Sequence, residues 1–416
     1  MSDRQFAQIA IVGAGPAGAV AASLLQQQGI QTTVLEKSRF PRFSIGESLL
    51  PACMDILART GVLDTVNEAG FQAKNGASFS RDGDQFSFDF HDKFSAGPAT
   101  TFQVKRARFD QLLADHASSQ GATIRYQHEV EQVDVTPQRP VLSVLDESGR
   151  RYELETDFIL DASGAARVLP RLLGLLQPSQ VPPRKALFTH IVDGSAGQDF
   201  DRNKVLIAVH PERADTWYWL VPFSDRTCSF GVVAEPSWFE RYPKDSVEAL
   251  RQFAREEPTM NRLLEGAQYP NRVGELAGFA ASARPLYTDK FALLGDAGEF
   301  LDPVFSSGIT IAMKSAELAT DLLVRQLRGE SVDWEQDFVG ALRTGIETFR
   351  CYVEGWYSGQ VQDVLFHSAP EPRIKEMICS ILAGYVWDTE NPYVAQPKRR
   401  LSVLAEMCRA TTDRTG

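Results

Sequence analysis

Three glycines spaced as Gly13-x-Gly15-x-x-Gly18, followed eighteen positions after the last by Glu36, form the first group whose residue types and spacing point to chemistry. The first glycine permits a tight turn, the second leaves room for a pyrophosphate to approach the backbone, and the third lets a helix lie close on a strand. Pro16 and Ala17 open that helix, whose free N–H groups and positive dipole end suit a phosphate. Glu36 is placed to accept both ribose hydroxyls of an adenosine. An ordinary glycine turn is the plain alternative. Strand, helix, second strand and acid fall together in the order that a dinucleotide requires, and this favours the binding reading.

Two later segments repeat the strand-to-glycine pattern: Asp161-Ala162-Ser163-Gly164 after Phe158-Ile159-Leu160, and Gly295-Asp296 after Phe291 to Leu294. Ser306-Ser307-Gly308 then begins a long amphipathic helix, and unpaired main-chain N–H groups at such a start bind an anion without a basic side chain. Capping by Ser306 or Ser307 is the structural alternative. Trp217 and Trp219 alternate on a strand and share one face, with Tyr218 opposite, as core or as the wall of a site. Lys74 taken alone reads as a solvated lysine. His190, His210 and His367 show no nucleophile-base spacing, and neither H-E-x-x-H nor a Cys/His cluster suggests a metal.

The elements that must position these groups follow from periodicity. Ile9 to Val12 and Thr32 to Leu35 read as parallel strands, and Ser48 as the cap of a helix from about Pro51 to Gly61. Ala77 to Phe90 reads as a hairpin around Asp82-Gly83-Asp84. Thr123 to Tyr126, Val130 to Val135, Val141 to Leu145 and Tyr152 to Glu155 read as a small antiparallel unit. Longer strands follow at Leu187 to Val192, Val205 to Val209, Trp217 to Val221 and Ser229 to Val233, and a helix from about Gly308 to Leu327. The expected division is 1–167 and 286–330 for a nucleotide domain, 168–285 for an inserted sheet domain and 331–416 for a helical C-terminal region.

With 416 residues and 43% hydrophobic content the chain can bury a large core. A net charge of -11 argues against nucleic acid or an anionic membrane surface as a partner. The five cysteines are scattered, odd in number and without C-x-x-C, which fits a reducing cytoplasm. No signal-peptide pattern and no run of about 18 apolar residues appears, so no membrane span is expected and a cytoplasmic location is.

The glycine turn with Glu36, the Asp161 to Gly164 segment and Leu293-Leu294-Gly295-Asp296-Ala297 together resemble the FAD-dependent aromatic hydroxylase superfamily, whose fold resembles that of the geranylgeranyl reductases. The resemblance implies FAD rather than NAD. It implies an α/β fold: a Rossmann-like FAD-binding domain, an inserted mixed or antiparallel sheet domain for the substrate, and a helical C-terminal region. A closer similarity is to the flavin-dependent halogenases. Their W-x-W-x-I-P signature stands here as Trp217-Tyr218-Trp219-Leu220-Val221-Pro222, with Val221 for Ile. Similar too are Arg42 to Pro51 (RFSIGESLLP), Gly70 to Ala77 (GFQAKNGA), Gln103 to Arg106 with Phe109-Asp110, and Asp302 to Gly308 (DPVFSSG).

That resemblance implies chemistry in which reduced FAD, oxygen and a halide, chloride or bromide, give hypohalous acid, relayed by Lys74 to an electron-rich aromatic carbon. Ser307 and Gly308 are the implied halide site, and Trp217 and Trp219 line the site between flavin and substrate. Lys37, Arg42, Gly46, Glu47, Ser48, Arg106, Pro303 and Ile309 are expected to hold the cofactor alongside the glycine turns. Tryptophan halogenases have an acid before their Ser/Thr-Ser/Thr-Gly turn where this chain has Phe305. A phenolic or pyrrolic substrate, free or tethered to a carrier protein, activates itself and needs no such acid. Glu299 is read as structural.

With no second glycine-rich nucleotide motif, a separate NAD(P)H-dependent flavin reductase is the expected partner. The rival readings are an FAD-dependent monooxygenase, a geranylgeranyl-reductase-like enzyme, and a flavoprotein without turnover in a biosynthetic assembly. Trp334, Trp356, Tyr357 and Phe366 either pack the C-terminal helices onto the sheet domain or cap a substrate tunnel.

Overall fold

An apolar stretch with both faces covered, Ile9 to Val12, makes β1 (Asp3–Val12) a central strand. The computed structural model describes residues 3–178, 182–193, 200–278, 281–368 and 371–412. From β1 the chain turns at Gly13 into α1 (Pro16–Gln26) and returns as β2 (Thr32–Glu36). After an irregular stretch come α2 (Cys53–Thr60), α3 (Leu63–Glu68), β3 (Gln72–Lys74) and the hairpin β4 (Gly76–Arg81) with β5 (Asp84–Asp89). Then follow β6 (Thr101–Gln103), α4 (Arg106–Ser119), β7 (Thr123–Tyr126), β8 (Glu129–Asp134), β9 (Val141–Leu145) and β10 (Arg151–Asp161).

The second half opens with α5 (Val168–Leu172), β11 (Leu176–Gln177) and four strands: β12 (Lys185–Val192), β13 (Lys204–His210), β14 (Arg213–Pro222) and β15 (Thr227–Ala234). Next are α6 (Ser246–Glu256), α7 (Pro258–Leu263), β16 (Gly274–Ala277), β17 (Ala281–Ala283), β18 (Phe291–Leu293) and β19 (Glu299–Phe300). Helices close the chain: α8 (Gly308–Leu327), α9 (Ala341–Tyr357), α10 (Gln360–Leu365), α11 (Pro372–Leu382), α12 (Pro392–Ala395) and α13 (Pro397–Thr412).

The nucleotide-domain sheet runs β7-β2-β1-β10-β9-β8, with β18 also on β10. Its β7, β2, β1, β10 and β18 are parallel, and β8, β9 and β10 antiparallel. Two expectations change here. Thr123 to Tyr126 does not join the antiparallel unit but pairs parallel with β2, because α4 carries the chain back across the sheet before β7 begins. The segments at Tyr152 and Phe158 are one continuous strand, β10, along the whole of β1.

The second sheet runs β16-β12-β15-β14-β13-β4-β5. The 76–89 hairpin is therefore part of it, with β4 parallel to β13. Alternation divides its side chains between two cores. Phe188, Ile207, Trp217, Trp219 and Val221 face the nucleotide domain, whereas Tyr218, Leu220 and Phe230 pack with α6 and α7. The C-terminal helices reach both sheets: Trp334 stacks on Phe158 at 5.5 Å, Trp356 lies 6.2 Å from Phe79, and Phe366 meets Phe86 edge-on at 5.5 Å. Among the described residues no helix is long and apolar enough to cross a membrane.

Candidate flavin site

Between the β1–α1 turn, the 37–48 stretch and the inner face of the second sheet lies a cavity of about 560 Å3. Its first wall is the glycine turn. Gly13 has φ +98°, and a Cβ there meets Ala162 O at 2.6 Å; a Cβ at Gly18 meets Gly13 O at 1.9 Å. Both glycines are needed for packing, whereas a Cβ at Gly15 finds only the Arg42 guanidinium, at 3.5 Å. The backbone at Gly15 is thus open to a ligand at the N-terminus of α1. Glu36 is buried with one oxygen on Ala14 N–H and the other on Ser38 N–H, both at 2.9 Å. Each oxygen keeps a lone pair for a hydroxyl.

Gly13, Gly15, Pro16, Ala17, Glu36, Lys37, Arg42, Gly46, Glu47, Ser48 and Arg106 all line the cavity. So do Ala162, Ser163, Gly164, Gly295, Asp296, Pro303, Gly308 and Ile309, together with Trp217 and Trp219. Arg106 is fixed by two bonds to Asp110, at 2.6 and 2.9 Å, and donates to Ile45 O. Burial pushes the Asp296 carboxyl up to about 6 against the pull of Arg106 and Arg167. The Trp217 and Trp219 rings stand 5.9 Å apart, and Trp219 lies where a Cβ at Gly231 would be.

Five expected site residues lie behind this wall. Gly18 is the packing contact just described. Asp161 shapes the second glycine turn by accepting Ser163 N–H at 2.9 Å and Leu169 N–H at 2.8 Å. Phe305 packs edge-on against Tyr352 and Trp356. Ser307 is buried, makes no side-chain cap to α8, and its Oγ has no partner among the described residues; Ser306 faces the cavity instead.

Lys74 is the fifth, and it is only 1% exposed. Its Nζ donates to Ser48 Oγ at 2.8 Å and Leu49 O at 2.7 Å, so it stands one hydrogen bond from the cavity. Burial pushes its ammonium down to about 7, with Cys53 opposing. Ser48 is accordingly a partner of Lys74 and not the cap expected for α2, whose N-cap is Ala52. Glu299 is held by Arg284 and Arg350, as a structural residue would be.

The cavity fits a flavin dinucleotide on its own geometry. It has a glycine turn open at a helix start, an acid with free lone pairs at the ribose position, and an aromatic wall long enough to face a planar ring. Glu47 Oε2 is buried at the cavity without a partner among the described residues.

A family model described as an FAD binding domain matches residues 7–342. This chain belongs to that FAD-binding family. Flavin-dependent halogenases are among the proteins it is similar to. A 1H-pyrrole-2-carbonyl-(peptidyl-carrier protein) chlorinase of Pseudomonas fluorescens is 26% identical over 98% of this chain and 95% of its own length. A tryptophan 2-halogenase of Chondromyces crocatus is 31% identical over 78% of this chain and 62% of that protein. Among solved structures, a flavoprotein/dehydrogenase from Cytophaga hutchinsonii is 42% identical, with a TM-score of 0.95, and covers 98% of this chain and 100% of that one. The protein is an FAD-dependent oxidoreductase, similar over most of its length to flavin-dependent halogenases.

Several residues of the flavin cavity were not expected. Phe188, Val205, Ile207 and Val221 share its sheet face with the tryptophans, and alternation along β12, β13 and β14 is the signal that marks them. His128, Glu129 and Val130 also line it, brought there by the β2–β7 pairing, which no local pattern encodes. His190, without a partner by spacing, meets Glu47 Oε1 at 2.6 Å across 143 positions.

Proposed function

We propose that this flavoenzyme transfers a halogen from chloride or bromide to a ring carbon of a phenolic or pyrrolic substrate, free or carried on a protein. Hypohalous acid is relayed by Lys74. The observation that carries the reading is the buried Lys74 amine, one bond behind Ser48 and titrating near neutrality. A solvated lysine is almost wholly protonated at pH 7, whereas an amine with a pKa of about 7 keeps a free pair to bind electrophilic halogen and N–H bonds to orient it.

Gly13, Gly15 and Glu36 would hold the pyrophosphate and ribose of FAD, Asp296 would meet its ribityl and phosphate region, and Trp217 and Trp219 would border its ring. Bound FAD supplies two electrons and a site for oxygen activation. Oxygen takes four electrons in all, two from reduced flavin and two from the halide, and both its atoms leave as water; the halogen replaces a ring hydrogen, which leaves as a proton. The N–H groups at the start of α8, around Ser307 and Gly308, would hold the halide.

Phe305 supports a self-activating substrate, since the position directly before the Ser306-Ser307-Gly308 turn carries no acid. The chlorinase relative, which acts on a carrier-bound pyrrole and matches over nearly all of both chains, supports the same class. Reduced flavin would come from a separate NAD(P)H-dependent reductase.

The test is a coupled reaction of a flavin reductase, NADH, FAD and mixed halides with a phenol, a free pyrrole and a carrier-bound pyrrole, read by mass spectrometry. A chlorine or bromine isotope doublet is expected. A second reading, oxidation or hydroxylation without halogen, is favoured by the likeness to the 42% identical flavoprotein/dehydrogenase. It predicts a product without a halogen pattern and indifference to Lys74→Met.

A further inference from the structure

We infer that Tyr357, the last residue of α9, is a positioning residue that holds the Trp217 wall of the flavin cavity in register with the turn before α8. Its phenol oxygen accepts the indole N–H of Trp217 at 3.0 Å and donates to Asp302 Oδ2 at 2.6 Å. Asp302 Oδ1 accepts Val304 N–H at 3.1 Å. One chain of bonds thus joins β14, α9 and the DPVFSSG turn, segments far apart in sequence.

The chain is held from the side as well. The Arg184 guanidinium lies 4.2 Å from the centre of the Tyr357 ring and is itself fixed by Asp215 at 2.9 Å. Burial and the neighbouring carboxylate push the Tyr357 phenol well above its ordinary value, so it stays a donor. Trp217 and Asp302 are buried, and an indole has a single N–H, so removing the phenol leaves a donor without its acceptor.

Trp217 faces the cavity from the sheet, while Pro303, Ser306 and Gly308 face it from the turn. The distance between those two surfaces governs whether water reaches the place where oxygen and halide react. Tyr357 sets that distance without touching either reactant.

For its turnover readout this inference rests on the halogenase reading; the bond itself does not. In Tyr357→Phe, FAD affinity is expected to stay within about twofold of wild type, showing an intact cavity. Hydrogen peroxide released per flavin oxidised rises about fivefold, the equivalent of one lost hydrogen bond, and halogenated product falls. The indole 15N–H resonance that disappears in Trp217→Phe shifts upfield. Asp302→Ala, which removes the acceptor of the phenol proton, moves the same resonance.

An unmoved resonance together with unchanged peroxide release in Tyr357→Phe overturns the inference. If the wild-type protein yields no halogenated product while Tyr357→Phe still moves the resonance and the peroxide yield, the positioning role stands and the halogenase reading falls.

Discussion

Burial moves the Lys74 ammonium from its usual 10.5 to about 7, so the side chain changes charge near neutral pH. It is an ammonium below that value and a free amine above it. Halogen transfer that uses the free amine should therefore rise as pH climbs through about 7, measured as product formation at saturating reduced flavin; a flat profile contradicts an amine relay. The same shift bears on stability. The unfolded chain binds more protons than the folded one between about 7 and 10.5, so wild-type stability increases with pH across that window. Lys74→Met removes this slope and should leave the melting temperature at pH 7 equal or higher, whereas a marked drop identifies Lys74 as structural. At the ribose position, Glu36→Gln puts an amide NH2 against either Ala14 N–H or Ser38 N–H and should weaken FAD binding about tenfold in a flavin titration. Glu36 stood out in sequence by its spacing from the glycine turn, and Lys74 only through the resemblance to halogenases. The burial of Lys74 and its contact with Ser48 were not legible in sequence, because they arise where Ser48 bridges to Gln103 beside the β3–β6 pair.

At the scale of elements, strand-to-helix turns do the positioning, and glycines in them differ in what they serve. A methyl group at Gly18 is driven into the Gly13 carbonyl, so Gly18→Ala should cost about 2–4 kcal/mol or prevent folding, as measured by denaturant melts. Gly308 has no protein atom within 4 Å of its Cβ position and faces the cavity, so Gly308→Ala should keep the fold and lose flavin or halide affinity. Equal losses of stability in the two variants would show that Gly308 is a packing glycine. The β1–α1 turn, the 161–164 turn and α8 could be read directly, since each combines an apolar strand with glycine or an amphipathic period. The parallel placement of β7 could not, because Thr123 to Tyr126 carries no pattern that distinguishes a sheet edge from a hairpin.

Across the whole molecule, a flavin domain and a second sheet share one core, and the C-terminal helices brace the far side through Phe305, Tyr352 and Trp356. The class of fold was readable because a doubly wound glycine turn and a run of long strands each announce themselves. The path by which α9 returns to β14 was not, since Trp217 and Tyr357 lie 140 positions apart. In this arrangement buried aromatic side chains pack around Lys74, with Phe90 5.6 Å from Nζ and Phe79 against Trp356. The most direct measurement compares wild type with Lys74→Met in the reductase-coupled reaction with equal chloride and bromide, following flavin oxidation by absorbance and products by mass. Wild type is expected to give a halogenated phenol or pyrrole, and Lys74→Met to oxidise flavin at a similar rate without halogenated product. Wild-type yields of halogenated product from Lys74→Met, or none from the wild-type enzyme with any of these substrates, would contradict the assignment.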